Sequence, residues 1–248
     1  MTNRLDGPLK VTGQARYGVD KPVWLLELNA MPTDDVAIPC ADRHARAPIQ
    51  TTMEQQAAYA VQALALAAAV GYQRISFYQM VDDDPCAQEA VWGVRRDDGS
   101  PRPVAEALKT AVSYFSGFTA ARFAPLVRAT RRWSAWPADP ASYTPNWQVY
   151  QVALDVPGNR RVTVLWNGDG QPLRVRLTRR GAAARFVGWH GDEQPLRQAG
   201  QDWVVELPPA TAHFAGDPPG YHFIGGDPLL LVEEEVPPTA PVAPPRLA

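Results

Sequence analysis

The chain has 248 residues, 46% of them hydrophobic and 20% charged, an ordinary globular composition with enough length to bury a sizeable core. Its net charge of −2 and pI near 6.1 give no electrostatic reason to expect nucleic acid or an acidic membrane as partner. Two cysteines, Cys40 and Cys86, are too few for a disulfide framework and lack metal-ligand spacing; no apolar run reaches a membrane span, and the chain as given carries no signal-peptide core.

In chain order, residues 1–20 are polar and weakly patterned and read as a leader or junction. Lys21 to Leu28 (KPVWLLEL) is an apolar run ended by a carboxylate, the form of a strand buried on both faces. A long Pro-punctuated loop leads to Thr51-Thr52-Met53-Glu54, a capping box in which Glu54 reaches back to the Thr51 amide. The helix it opens places Ala57, Val61, Leu64, Ala65 and Ala68 on one face and stops at Gly71. Arg74 to Val81 is a second β-rich run, followed by the acidic loop Asp82 to Asp84 and turns at Trp92-Gly93 and Asp98-Gly99. Pro101 and Pro103 then lead a helix through Val104, Ala107, Leu108, Ala111, Val112 and Phe115, closed by Gly117. Strand, loop, helix, twice over, predicts βα units and a parallel sheet spanning 21–120.

The texture changes after residue 120. Residues 121–144 read as a connector with Pro125, Pro137 and Pro140. Beyond it come short alternating strands at 148–154, 161–166, 173–178, 184–189, 202–207, 221–224 and 229–233, separated by turn residues. That is the sequence form of an antiparallel β-sandwich, over 145–235. Residues 236–248 form a Pro/Ala-rich tail. The fold class expected is thus α/β plus all-β.

Glu27 is the first residue that asks for a chemical explanation. Active sites of parallel α/β barrels lie at the C-terminal ends of the strands, where Glu27 falls. A carboxylate there is costly to desolvate unless it is hydrogen-bonded or has a task. Retaining glycoside hydrolysis supplies one, with a carboxylate attacking the anomeric carbon and a second carboxyl group about 5–5.5 Å away protonating the leaving oxygen.

The stretch KPVWLLELNA, with Trp24, Glu27 and Asn29, resembles strand seven of the clan of barrel glycosidases whose catalytic glutamates close strands four and seven. GYQRISFYQM and the later WGVRRDDGSPRPVAEAL resemble strand eight and the closing helix of that clan, with Gly93, Asp98, Gly99, Arg102, Pro103 and Ala105 in the motif positions. RVTVLWNGDG to HFIGGDPLLLVEE resembles the small β-sandwich that follows the barrel in the β-xylosidase and iduronidase-like groups. The resemblance covers 21–235 and implies a retaining O-glycosidase lineage, a carbohydrate substrate, no metal or organic cofactor, and Glu27 as nucleophile.

The chain departs from that clan in length. A complete barrel needs about 200–250 residues, yet only about 20 precede the strand matched to the seventh. The Asn-Glu pair that closes strand four in the clan is absent, and Glu54, Glu89 and Glu106 do not replace it. The expectation is the last two βα units of an incomplete TIM-type barrel followed by a β-sandwich, inactive alone, with a second chain as one way of completing the barrel. The competing expectation is a non-catalytic carbohydrate-binding or interaction module.

Other residues carry paired readings. Asn29 binds substrate or braces its loop; Tyr78 and Gln79 line the sugar pocket or point into the wall; His44 touches substrate or lies in a surface loop. Asp82 to Asp84 read as a solvated acidic loop rather than a metal run. Cys40 and Cys86 fall in loops on one face, where a disulfide is geometrically allowed. Trp166, Trp189 and Trp203 read as core before they read as a sugar-stacking platform. Residues 4–17 also resemble the opening of large molybdenum hydroxylase subunits, and nothing downstream continues that likeness.

Overall fold

A computed structural model describes residues 24–38, 51–84, 86, 91–124, 149–194, 196–212 and 222–236. Its first elements are strand β1 (Trp24–Leu28), helix α1 (Met53–Ala69) and strand β2 (Arg74–Phe77), with β1 and β2 paired in parallel. Parallel neighbours need a crossover connection, and α1 provides it. The second run ends as a strand at Phe77, short of the expected Val81.

The capping box of α1 lies one residue later than the sequence pattern suggests. Thr52 is the N-cap: its hydroxyl accepts from the Gln55 amide at 3.0 Å, and the Gln55 side chain accepts from the Thr52 amide at 2.9 Å. Thr51 is unavailable because its hydroxyl donates to the Met31 carbonyl at 2.6 Å and its own carbonyl accepts from the Thr33 amide at 2.8 Å. Gly71, just past the helix, has φ of +88°, the left-handed cap that glycine adopts without strain.

Helix α2 (Pro103–Phe115) starts with proline in its first turn and buries Val104, Ala107, Thr110, Ala111 and Phe115. Val112, expected on that face, is 60% exposed.

The rest of the chain builds two antiparallel sheets. The larger holds β3 (Ala120–Phe123), β4 (Val149–Val156), β5 (Arg160–Asn167), β7 (Ala183–Gly188), β8 (Glu193–Gln194) and β11 (Leu229–Glu234), in the order β3-β4-β5-β11-β7-β8. The smaller holds β6 (Leu173–Thr178), β9 (Arg197–Ala199) and β10 (Asp202–Leu207), in the order β6-β10-β9. β3 falls mostly within the stretch expected as connector and pairs with β4 from Ala120↔Asp155 to Phe123↔Val152. The strand expected at 221–224 is, among the described residues, a single bridge between Ala212 and Ile224.

The six-stranded sheet is a middle layer. Val152, Leu154, Val162, Val164, Trp166, Leu230 and Val232 project from one face into a core shared with Ala57, Val61 and Ala65 of α1 and Val104, Ala107 and Ala111 of α2. Leu165, Phe186, Leu229 and Leu231 meet Val175, Leu177, Trp203, Val205 and Leu207 of the smaller sheet through the other face. That double coverage explains why β5 is buried from Arg161 to Asn167 without alternation. Trp166, Trp189 and Trp203 are all buried core residues. The two helices thus share one core with the larger sheet, and the larger sheet shares a second core with the smaller one.

Candidate functional site

Glu27 and its neighbours sit where β1 and β2 end together. The strands pair Trp24 with Arg74 and Leu25 with Ile75, but the next partner of Phe77 is Leu28, so β1 carries one extra residue there. Paired residues of adjacent strands share a face, so Leu25 lies on the side of Ile75 and Leu28 on that of Phe77, which packs against the helical core. Strict alternation would have put Glu27 on that side with Leu25. The bulge re-aims it, and Glu27 is exposed. On the open face Trp24 is 47% exposed, with the Arg74 guanidinium 4.5 Å from its ring centroid.

Asn29 is the joint of this strand end. Its side-chain nitrogen donates to the Tyr78 carbonyl at 2.9 Å and to the Trp92 carbonyl. Its side-chain oxygen accepts from its neighbour Ala30 at 2.8 Å and from the buried Gln56 of α1 at 3.3 Å. Both donors and both lone-pair positions of the amide are thus engaged within the chain. The bracing reading of Asn29 has these four contacts behind it.

Tyr78 is 46% exposed, and its amide donates to the Leu28 carbonyl at 3.2 Å. Tyr78 and Gln79 are joined by a cis peptide bond. Gln79 accepts from the Val94 amide through its carbonyl, while its side-chain nitrogen is buried and has no hydrogen-bond partner. His44 and Cys40 lie outside the described residues, as does Glu89. Cys86 is disulfide-bonded.

Beneath the strand ends lies an ionic cluster that no local sequence pattern announces. Arg102, at the N-cap of α2, donates from Nε to Asp35 at 2.7 Å, from Nη1 to the Gly93 carbonyl at 2.7 Å, and lies 2.6 Å through Nη2 from Asp82. Arg96 also pairs with Asp35 at 2.9 Å. Asp82 further accepts from the Gly93 amide at 2.6 Å and the Trp92 amide at 3.1 Å. The loop after β1, the loop after β2 and the head of α2 are locked together at one point. Asp82, expected in a solvated loop, is 5% exposed; Asp83 and Asp84 do lie exposed. Burial raises the Asp35 pKa, and the hydrogen bonds from Arg96, Arg102 and the Ala37 amide outweigh it, holding the carboxyl below its usual value. Gly93 fits only as glycine, since a Cβ there would lie 2.2 Å from the Arg95 carbonyl oxygen.

Among the described residues no group of three or more His, Cys, Asp or Glu could hold a metal ion, and no helix is long and apolar enough to cross a membrane.

No protein-family model matches the chain, and no curated protein matches it. Solved structures do. A family 39 glycoside hydrolase from the gut symbiont Bacteroides cellulosilyticus WH2 aligns over 91% of this chain and 36% of its own, with a TM-score of 0.57 and 16% identity. The catalytic domain of GH30 xylanase C from Talaromyces cellulolyticus aligns over 87% of this chain and 41% of its own, with a TM-score of 0.50 and 11% identity. This chain therefore has the fold of part of these glycoside hydrolase structures, and it spans little more than a third of the first one's length.

Proposed function

We propose that this chain is the closing part of a retaining glycoside hydrolase, with β1 and β2 as the last two strands of its barrel and Glu27 as its nucleophile. The observation that carries the reading is the register shift between Leu25 and Leu28 at the end of β1, where the strand-end carboxylate Glu27 is exposed. Support also comes from the glycoside hydrolase structures that share the fold.

In the complete enzyme Glu27 attacks the anomeric carbon as the leaving oxygen is protonated by a second carboxyl group, giving a glycosyl-enzyme and a free alcohol. Water then attacks the same carbon, gives its proton to that second group and releases the Glu27 carboxylate. Tyr78, exposed beside Glu27, would contact the sugar, and the unpartnered Gln79 amide nitrogen would donate to a substrate hydroxyl. His44 is assigned to substrate contact from the sequence alone. Asn29 keeps its place in the site as the residue that positions the strand end.

The three carboxylates that follow β1 and β2 most closely are engaged in structure and do not offer the acid. Asp35 is buried against Arg96 and Arg102, whose hydrogen bonds favour its charged form and leave it a poor proton donor, and Asp82 is held by Arg102 and by the Trp92 and Gly93 amides. Asp34 accepts from the Met53 amide at the head of α1. Purified 248-residue chain is expected to hydrolyse no aryl glycoside above the level of its Glu27→Gln variant. Turnover that depends on Glu27 would place the acid within this chain and overturn that part of the reading.

A further inference from the structure

The smaller sheet has one face that the core does not use. Val175 and Leu177 of β6, with Trp203, Val205 and Leu207 of β10, project into the core shared with the larger sheet. Their alternate neighbours therefore face outward. The register arranges those neighbours in rows across the strands: Arg174 beside Glu206, then Arg176, Val204 and Arg197, then Thr178, Asp202 and Ala199. Arg174 approaches Glu206 to 4.0 Å, with both side chains largely exposed. In the middle row Val204 stands where a carboxylate would be needed to serve either arginine. Elsewhere among the described residues a guanidinium meets an acid, a carbonyl or a ring, as Arg102 meets Asp35, Arg160 the Pro157 carbonyl and Arg74 the Trp24 ring. Arg176, Arg197 and Arg180, the last just beyond β6, are exposed and have no such partner among the described residues. Charge on outer strands also deters edge-to-edge pairing, but a partnered arginine such as Arg174 fills that role equally well.

We propose that this face binds an acidic polysaccharide, seating two carboxylates of one sugar chain on Arg176 and Arg197 across Val204. The two arginines stand on the strands either side of β10, about 10 Å apart at their roots. A polyuronate carries a carboxylate on every ring and can offer one to each. The guanidinium fork matches a carboxylate in a planar, two-pronged contact, and its charge is independent of pH in the working range. Val204 is partly exposed between them and gives a sugar ring an apolar floor. Arg180 adds positive charge beyond one end of β6. The whole chain carries a net charge of −2, so attraction of a polyanion has to come from this local arrangement and not from bulk charge. The face is poorly made for single-stranded nucleic acid, which needs aromatic platforms, because Trp203 is turned inward and 5% exposed. The choice of a saccharide rests on the glycoside hydrolase reading; the anion-binding character of the face does not.

The test is affinity electrophoresis of the full chain in native gels at about pH 8, where uronates are ionised. The gels contain polygalacturonate, unsubstituted xylan or single-stranded DNA of matched charge. Polygalacturonate is expected to retard the wild-type chain, xylan is not, and DNA is expected to retard it less. The double variant Arg176→Gln/Arg197→Gln should bind polygalacturonate about five- to thirtyfold more weakly, the range for two exposed charged contacts. Both side chains are exposed, so the variant keeps its fold and its Tm. Val204→Glu separates binding from stability. It supplies both arginines with a cross-strand acid, so it should abolish retardation while holding Tm at or above the wild-type value. No retardation by polygalacturonate, equal retardation by xylan, tighter binding to DNA, or undiminished binding in either variant would overturn the proposal. None of these results bears on Glu27, whose role is tested by covalent capture.

Discussion

Arg102→Met is expected to cost about 3–5 kcal/mol of stability, because it leaves buried carboxylates short of their cation. Arg102 and its partners Asp35 and Asp82 have side chains no more than 1% exposed, so water cannot take over the lost contacts. Asp35 keeps Arg96, whereas Asp82 keeps only the Trp92 and Gly93 amides, and the Gly93 carbonyl loses its donor. Methionine fills much of the volume, so the effect isolates charge and hydrogen bonding from cavity formation. Urea unfolding at neutral pH measures it. The acid limb of the stability curve supplies an internal check. The lowered pKa of Asp35 contributes stability above the ordinary carboxylate value of about 4, and that contribution is lost as pH falls through the lowered value. Arg102→Met should shrink the acid-dependent loss along with total stability. A variant as stable as wild type would mean that the three loop ends are not held by this cluster.

Trp166→Ala is expected to cost about 3–5 kcal/mol and, for a chain of this size, to lower Tm by on the order of 10 °C. Trp166 is 2% exposed and stacks on Tyr150 with centroids 5.1 Å apart. Gly225 closes over the same ring, so closely that a Cβ there would fall 2.2 Å from Trp166 Cδ1. The indole belongs to the core that α1 and α2 share with the six-stranded sheet. The informative readout is cooperativity: helical and sheet signals should disappear in one transition at the lower temperature. Separate melting of the helices would show that the sheets fold as an independent module, which is what a stand-alone binding domain requires.

Much of this architecture could be read from local patterns. The order strand, helix, strand, helix is carried by short apolar runs and by turn glycines, and Gly71 and Gly117 both adopt the positive φ that a helix end asks of them. The strands at Leu173–Thr178 and Asp202–Leu207 alternate because one face of the smaller sheet is solvated, and their limits agree with the periodicity. β5 gives no such pattern because it is covered on both faces. The capping box slipped by one residue because Thr51 is drawn into contacts with Met31 and Thr33, tertiary partners invisible to a four-residue motif.

The site was legible in part. Glu27 stands out as a carboxylate closing an apolar run, but the bulge that turns it outward depends on its register with β2 and has no signature within β1 itself. Asn29 was open between two roles; its contacts span up to 63 residues of sequence. The Arg102–Asp35 pair spans 67. One clue was available: an arginine set between Pro101 and Pro103 at the head of a helix has its backbone fixed, and Arg102 buried in such a place must find carboxylates.

Glu27 is proposed as the nucleophile of a retaining glycosidase site. Its most direct test is covalent capture. The chain, mixed with a polypeptide that carries the preceding barrel strands of a glycoside hydrolase, is treated with a panel of activated 2-deoxy-2-fluoro glycosides, and its peptides are mapped by mass spectrometry. The account predicts a glycosyl adduct on the peptide containing Glu27, absent from Glu27→Gln. An adduct on another carboxylate, or hydrolysis undiminished in Glu27→Gln, would contradict it.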